Sequence, residues 1–157
     1  MHMMAKSYIN LLDKLDIRMD GIYDTVKKIH DHRKKQHKDK LHIFYEKFET
    51  KEKYFEFVDK VKPRLCDELI EFVILRGIYD LYNWYFTDSI KLLFFNRVSD
   101  LYLKIDSDKE IGADIRKRRR LCKHLDDPTP DVGKIEKLFH HLYVETLALI
   151  RFNLLMI

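Results

Sequence analysis

The sequence predicts an all-α fold, an antiparallel bundle of five or six helices, and three observations carry that expectation. Only four glycines and three prolines punctuate 157 residues, which leaves long uninterrupted segments and disfavours a turn-rich β fold. Apolar residues recur every three or four positions along most of the chain, the spacing that lines one face of a helix. Residues able to cap helices fall between the apolar stripes. Hydrophobic residues make up 46% and charged residues 36% of the chain, a globular profile rather than a disordered one. The length fits one domain spanning residues 1–157, large enough to bury a core.

The first stripe runs through Tyr8, Leu11, Leu12, Leu15, Met19, Ile22, Val26 and Ile29 and predicts a helix over 5–31. From His30 to Lys40 polar residues take over, and a continued helix and a loop are both compatible with them. Leu41, Phe44, Tyr45 and Phe48 restore helical spacing. Thr50 is a plausible N-cap for a short helix carrying Tyr54, Phe55, Val58 and Val61, and Pro63 ends that helix or opens the next. The widest apolar arc belongs to Leu65, Leu69, Phe72, Val73, Ile78, Leu81, Tyr82 and Tyr85, continuing through Trp84, and predicts a central helix. Thr87-Asp88-Ser89 offers cap chemistry before a helix bearing Ile90, Leu93, Phe94, Val98, Leu101, Tyr102 and Ile105. Asp106-Ser107-Asp108 closes it. Ser107 and Glu110 have capping-box spacing and predict a helix from Ser107 to Leu125. After the breaker loop Asp126–Asp131, Thr129 and Pro130 suit the N-cap and first position of a last helix carrying Ile135, Leu138, Phe139, Leu142, Leu147, Ile150 and Leu154.

Composition narrows the function classes. The net charge of +4 is too mild to imply a nucleic-acid partner by itself, so local clustering carries more information. Cys66 and Cys122 sit alone in helical patterns, forming neither a disulfide framework nor a metal knuckle. They fit a reducing, cytoplasmic location. Met1–Ser7 lacks the apolar core of a signal peptide. No run approaches the roughly 20 apolar residues that span a bilayer, so no membrane partner is expected.

The densest charge lies at Arg116-Lys117-Arg118-Arg119-Arg120, followed by Leu121-Cys122-Lys123-His124-Leu125-Asp126. It reads as a solvated helix face, a phosphate-binding strip, or part of a catalytic site. Position 118 falls on the stripe 111, 115, 118, 122, 125, where an apolar residue belongs. A guanidinium there needs acceptors for its donors, and Asp114, four residues earlier, is well placed. The alternative is that Arg118 lies at the stripe's edge and snorkels to solvent.

The run from Arg118 to Asp126 resembles the motif of HEPN-domain proteins, an arginine followed by a histidine after four to six positions, late in a small all-α domain. Arg118 and His124 leave five residues between them, and Arg119 and His124 leave four. The position after the arginine, typically Asn, Asp or His in the family, is Arg119 here. The resemblance covers about the last third of the chain. It includes abortive-infection and toxin-like members, and implies a metal-independent endoribonuclease acting as a toxin or antiphage effector. It implies a homodimer with facing motifs, an RNA substrate, no cofactor, and an antitoxin or regulatory protein as a partner. In that scheme the 2′-hydroxyl attacks the neighbouring phosphate. His124 is the general acid/base, of a residue type that titrates near neutral pH. Arg118 stabilises the phosphorane charge, and Arg119 stands where the family's orienting residue does. Arg116, Lys117, Arg120 and Lys123 hold the RNA backbone without reading sequence. Beside this stand a non-catalytic helical module that binds nucleic acid and a protein-interaction bundle.

Other clusters carry blander readings. His30, His32, His37 and His42 with Asp31 and Asp39 match no metal-ligand spacing and read as a solvated basic segment. Of His140 and His141, one is expected near the core and the other away from it. The aromatic span Tyr79–Phe95 reads as core packing rather than a ligand pocket. No phosphate-binding glycine loop or nucleophile elbow is present.

Overall fold

The computed structural model describes residues 23–36, 49–61 and 67–155. The fold is an all-α helical bundle, with six α-helices and no strand among the described residues. The helices are α1 (Tyr23–Gln36), α2 (Lys51–Val61), α3 (Asp67–Tyr82), α4 (Asp88–Val98), α5 (Ile115–Leu125) and α6 (Val132–Leu155). A 3-10 turn at Asn83–Tyr85 follows α3, and a π turn at Ser99–Leu103 extends α4. No helix among the described residues is long and apolar enough to cross a membrane. The expected helix over 41–48, the start of the first stripe, Pro63 and Cys66 lie outside the described residues.

The described residues divide into two compact units. One comprises 82–146, and the other comprises the described residues of 17–81 together with 147–155. In the second unit, α1 continues through the polar segment to Gln36. Val26 and Ile29 are buried on it as the periodicity predicts. Thr50 caps α2, its hydroxyl accepting from Lys53 N at 3.2 Å. The core of α2 uses Tyr54, Phe57 and Val58, so Phe57 takes the inward place expected for Phe55. Nearly every residue of α3 from Leu69 to Tyr79 is buried, as the wide apolar arc predicts. Gly77 lets Ile29 approach: a Cβ there would meet Ile29 Cδ1 at 2.6 Å.

The unit 82–146 has an aromatic centre. Phe94, Phe95 and Phe139 pack edge to face, with ring centroids of Phe95 and Phe139 5.2 Å apart. Thr87 is the N-cap of α4 and accepts from Ile90 N. Trp84 departs from the buried stripe expected of it and is 71% exposed, because α3 tightens into a 3-10 turn that rotates it off the apolar face. Leu93 and Ile105 are also exposed.

Two expected helix starts are corrected. Helix α5 begins at Ile115 rather than at Ser107. Glu110 does reach back, but its Oε1 accepts from Asp106 N at 2.8 Å, and Asp106 has a positive φ of 60°, a turn rather than a helix geometry. The Ser107 hydroxyl accepts no N–H, whereas Asp114 accepts from Arg116 N at 2.8 Å and is the true N-cap. For α6, Thr129 N donates to Asp127 in a side-chain turn. Asp131 accepts from Lys134 N at 3.2 Å, so the cap falls two residues later than expected.

Candidate nucleic-acid interface

The basic stretch forms α5, and helical geometry sorts its charges. At about 100° per residue, Arg116, Arg119, Arg120, Lys123 and His124 cover an arc of about 140°. Leu121, Leu125 and Arg118 share the opposite side, and all three are buried. The five outward residues line one open groove of about 700 Å³, with Asp126, Asp127 and Pro128 at its end. Asp127 is engaged locally with Thr129 N.

Arg118 is 5% exposed and faces away from the groove. Its Nε donates to Ala113 O at 3.0 Å and its Nη1 to Leu103 O at 3.1 Å. Glu110 Oε2 lies 3.4 Å from Nη1 and supplies the countercharge. The apolar-stripe position is therefore real, and the snorkelling alternative is excluded by this burial. The partner is Glu110 with two carbonyls, not Asp114, whose carboxylate is occupied as the N-cap. The guanidinium thereby ties α5 to the segment 103–113 that precedes it.

The π turn supplies part of that tie. Leu101 O accepts from Lys109 N and Tyr102 O from Ile111 N, both at 3.0 Å, while Leu103 O takes Arg118. A widened turn leaves carbonyls free for such outside donors. Ser99 Oγ and Cys122 Sγ lie 3.0 Å apart across the same seam.

Lys117 is directed elsewhere as well. Its Nζ lies 3.5 Å from Glu145 Oε2, and Glu145 Oε1 accepts from Asp114 N at 2.9 Å. Glu145 of α6 thus places a carboxylate at the positive end of α5, where the helix dipole favours it. It was not expected from sequence, because nothing local connects position 145 with 114.

The groove residues have no such partners. Among the described residues, no ion pair involves the side chains of Arg116, Arg119, Arg120 or Lys123. Arg116 and Arg120, and Arg119 and Lys123, stand four residues apart, a like-charge spacing that destabilises a helix by about 0.2–0.5 kcal/mol per pair. Lys123 and His124 in the last turn are favoured by the helix dipole. Nearby, the Asp100 carboxylate, 2.6 Å from Lys104, holds that ammonium charged to higher pH. Asp126 at the groove's end adds a smaller pull in the same direction.

Of the seven site residues expected from sequence, five come together and two do not. His124 shares the groove with Arg119 and Arg120, whereas Arg118 and Lys117 are bound on other faces of α5. No family model, characterised protein or solved structure matches the chain. Among the described residues no group of three or more His, Cys, Asp or Glu is placed to hold a metal ion. His30 is buried, and its Nδ1 lies 3.0 Å from Asp31 Oδ1, so it is not the solvated residue expected. His37, His42 and Asp39 lie outside the described residues. His140 and His141 are both exposed, since the inward positions of that turn belong to Phe139, Leu142 and Tyr143.

Proposed function

We propose that the α5 groove binds the phosphate backbone of RNA. The observation that carries this reading is the convergence of Arg116, Arg119, Arg120 and Lys123 on one groove, none of them in an ion pair among the described residues although Asp126 and Asp127 share the lining. Their mutual repulsion is relieved when a polyanion lies along them. Positive charge on one face recognises phosphate without reading bases. Asp126 and Asp127 mark the end of the track by repelling further phosphates. With four phosphates neutralised, log affinity for a single strand is expected to fall with log salt at a slope of roughly −3. Fluorescence anisotropy with labelled RNA across a salt series measures it. A flat salt dependence, or unchanged binding in R120E, would sink the reading.

A second reading is a metal-independent endoribonuclease of the HEPN type, a toxin or antiphage effector working as a homodimer. What favours it is that Arg119 and His124, at the family's spacing, line the same groove. Arg119 then takes the charge-stabilising role, because Arg118 is committed to backbone carbonyls. His124 would take the proton from the 2′-hydroxyl, whose oxygen bonds to phosphorus as the bond from phosphorus to the 5′-oxygen breaks and the 5′-oxygen takes a proton from water. RNA cleavage in the presence of EDTA, lost in His124→Ala with binding retained, is the expected outcome. No cleavage across varied RNAs leaves a non-catalytic binding module.

A further inference from the structure

Of the described residues that line the α5 groove, His124 alone is half-buried, and the others are exposed. It stands one turn after Arg120 and two turns after Arg116, so the three form one row along the helix with a rise of about 6 Å per step. Arg119 and Lys123 form the neighbouring row. Among the described residues no hydrogen bond or ion pair engages the His124 ring. Charges on the other faces of α5 and on the segment before it are paired: Lys117 with Glu145 of α6, Arg118 with Glu110, and Lys104 with Asp100. The charges that share the groove with His124 are Arg116, Arg119, Arg120, Lys123, Asp126 and Asp127, all from α5 and the turn that follows it. Asp127 also accepts from Thr129.

We infer that His124 is a fifth phosphate-binding residue of the groove, and that its protonation makes RNA binding pH-dependent. This rests on the RNA-binding reading of the groove. Histidine as a residue type changes charge near about pH 6.5. Neutral, an imidazole offers a phosphate one N–H donor and no charge; protonated, it offers two donors and a full charge. A hydrogen bond from an ionised donor to phosphate is about twice as strong as a neutral one. A phosphate seated beside Arg120 and Lys123 in turn favours the imidazolium, because opposite charge stabilises the ionised form. Binding and protonation therefore strengthen each other by the same factor. Affinity rises as pH falls through the histidine range and declines as pH rises through it. Arginine and lysine as residue types stay charged over that range, and carboxylates lose their charge only well below it. His124 is thus the variable contact on a fixed cationic track.

The test measures anisotropy of a labelled 2′-O-methyl uridine oligonucleotide with the full chain at about pH 5.5 and about pH 8, on either side of the histidine range. The blocked 2′-oxygen prevents cleavage by 2′-hydroxyl attack, so binding is read alone. The wild type is expected to bind roughly tenfold more tightly at the lower pH. Its salt slope there should be steeper by about 0.7, the contribution of one further phosphate contact to a single strand. H124Q should lose both differences. H124K, charged at either pH, should bind tightly at both and guards against a folding defect in H124Q. Equal wild-type affinity at the two pH values, or a pH dependence that persists in H124Q or H124K, would overturn the role of His124 while the groove reading stands. Absence of RNA binding at low salt at either pH would overturn both.

Discussion

Arg118 shows how one residue can look catalytic and serve as a strut. Its guanidinium is buried with two carbonyl acceptors and one carboxylate, so its removal strands three groups. Arg118→Ala is expected to destabilise the fold by about 3 kcal/mol, read as a lower urea midpoint. Lysine should not rescue it, because one ammonium cannot reproduce the spread of Nε and Nη1. That position 118 is anomalous was legible, since helical periodicity alone puts it on the buried stripe. Its partners were not, because Leu103 O and Glu110 are brought to it by a turn whose geometry no local pattern encodes. Asp31 offers a second test at this scale. The hydrogen bond from His30, with help from Lys27, holds its carboxyl below the ordinary aspartate value. A depressed folded value means that the interaction stabilises above the unfolded value and is lost as pH falls through the folded one. D31N should therefore lower stability slightly at neutral pH, converge with the wild type in acid, and so flatten the loss of stability below about pH 4. The effect should be small, because the carboxylate is half exposed.

At the scale of elements, α5 trades its own stability against its charge. R120E removes the like-charge contacts with Arg116 and with Lys123 and adds opposite-charge ones, at spacings worth about 0.2–0.5 kcal/mol per pair. It should stabilise the fold slightly while weakening RNA binding, a pair of opposite shifts that a purely structural role for Arg120 does not give. Packing of α1 on α3 has a similarly local weak point. Gly77→Ala would put a methyl within 2.9 Å of three atoms of Ile29. Overpacking of about 1–3 kcal/mol should outweigh the gain in helix propensity of about 1 kcal/mol, lowering the thermal midpoint. Most elements were legible: the caps at Thr50 and Thr87 follow from a hydroxyl followed by a strongly periodic helix. Ser107 has the same spacing but lacks that continuation, since Gly112-Ala113-Asp114 intervenes and Asp114 competes with a charged acceptor. A capping motif names candidates, and the first uninterrupted turn after them decides.

For the whole molecule, the net charge of +4 understates the positive field, because it averages a concentrated strip with paired charges elsewhere. Binding to the folded form alone raises stability by about 2.7 kcal/mol at a ligand concentration a hundredfold above Kd. RNA should thus raise the thermal midpoint of the wild type and do so less for R120E at the same RNA concentration. Legibility at this scale was uneven. The all-α class follows from periodicity over many residues, an average that survives local misjudgements. The tilt of the indole out of the α3 stripe does not, because a single 3-10 turn rotates one residue without altering the pattern around it.

The π turn at Ser99–Leu103 bears on which changes in length the chain tolerates. A π turn differs from an α turn by one extra residue per hydrogen-bonded ring. Deleting one residue there would restore ordinary pitch and rotate everything downstream by about 100°. Lys109, Ile111 and Arg118 would lose their acceptors together, although none of them had been altered. The seam between this turn and α5 therefore depends on the count of residues between Val98 and Lys104, not only on their identities.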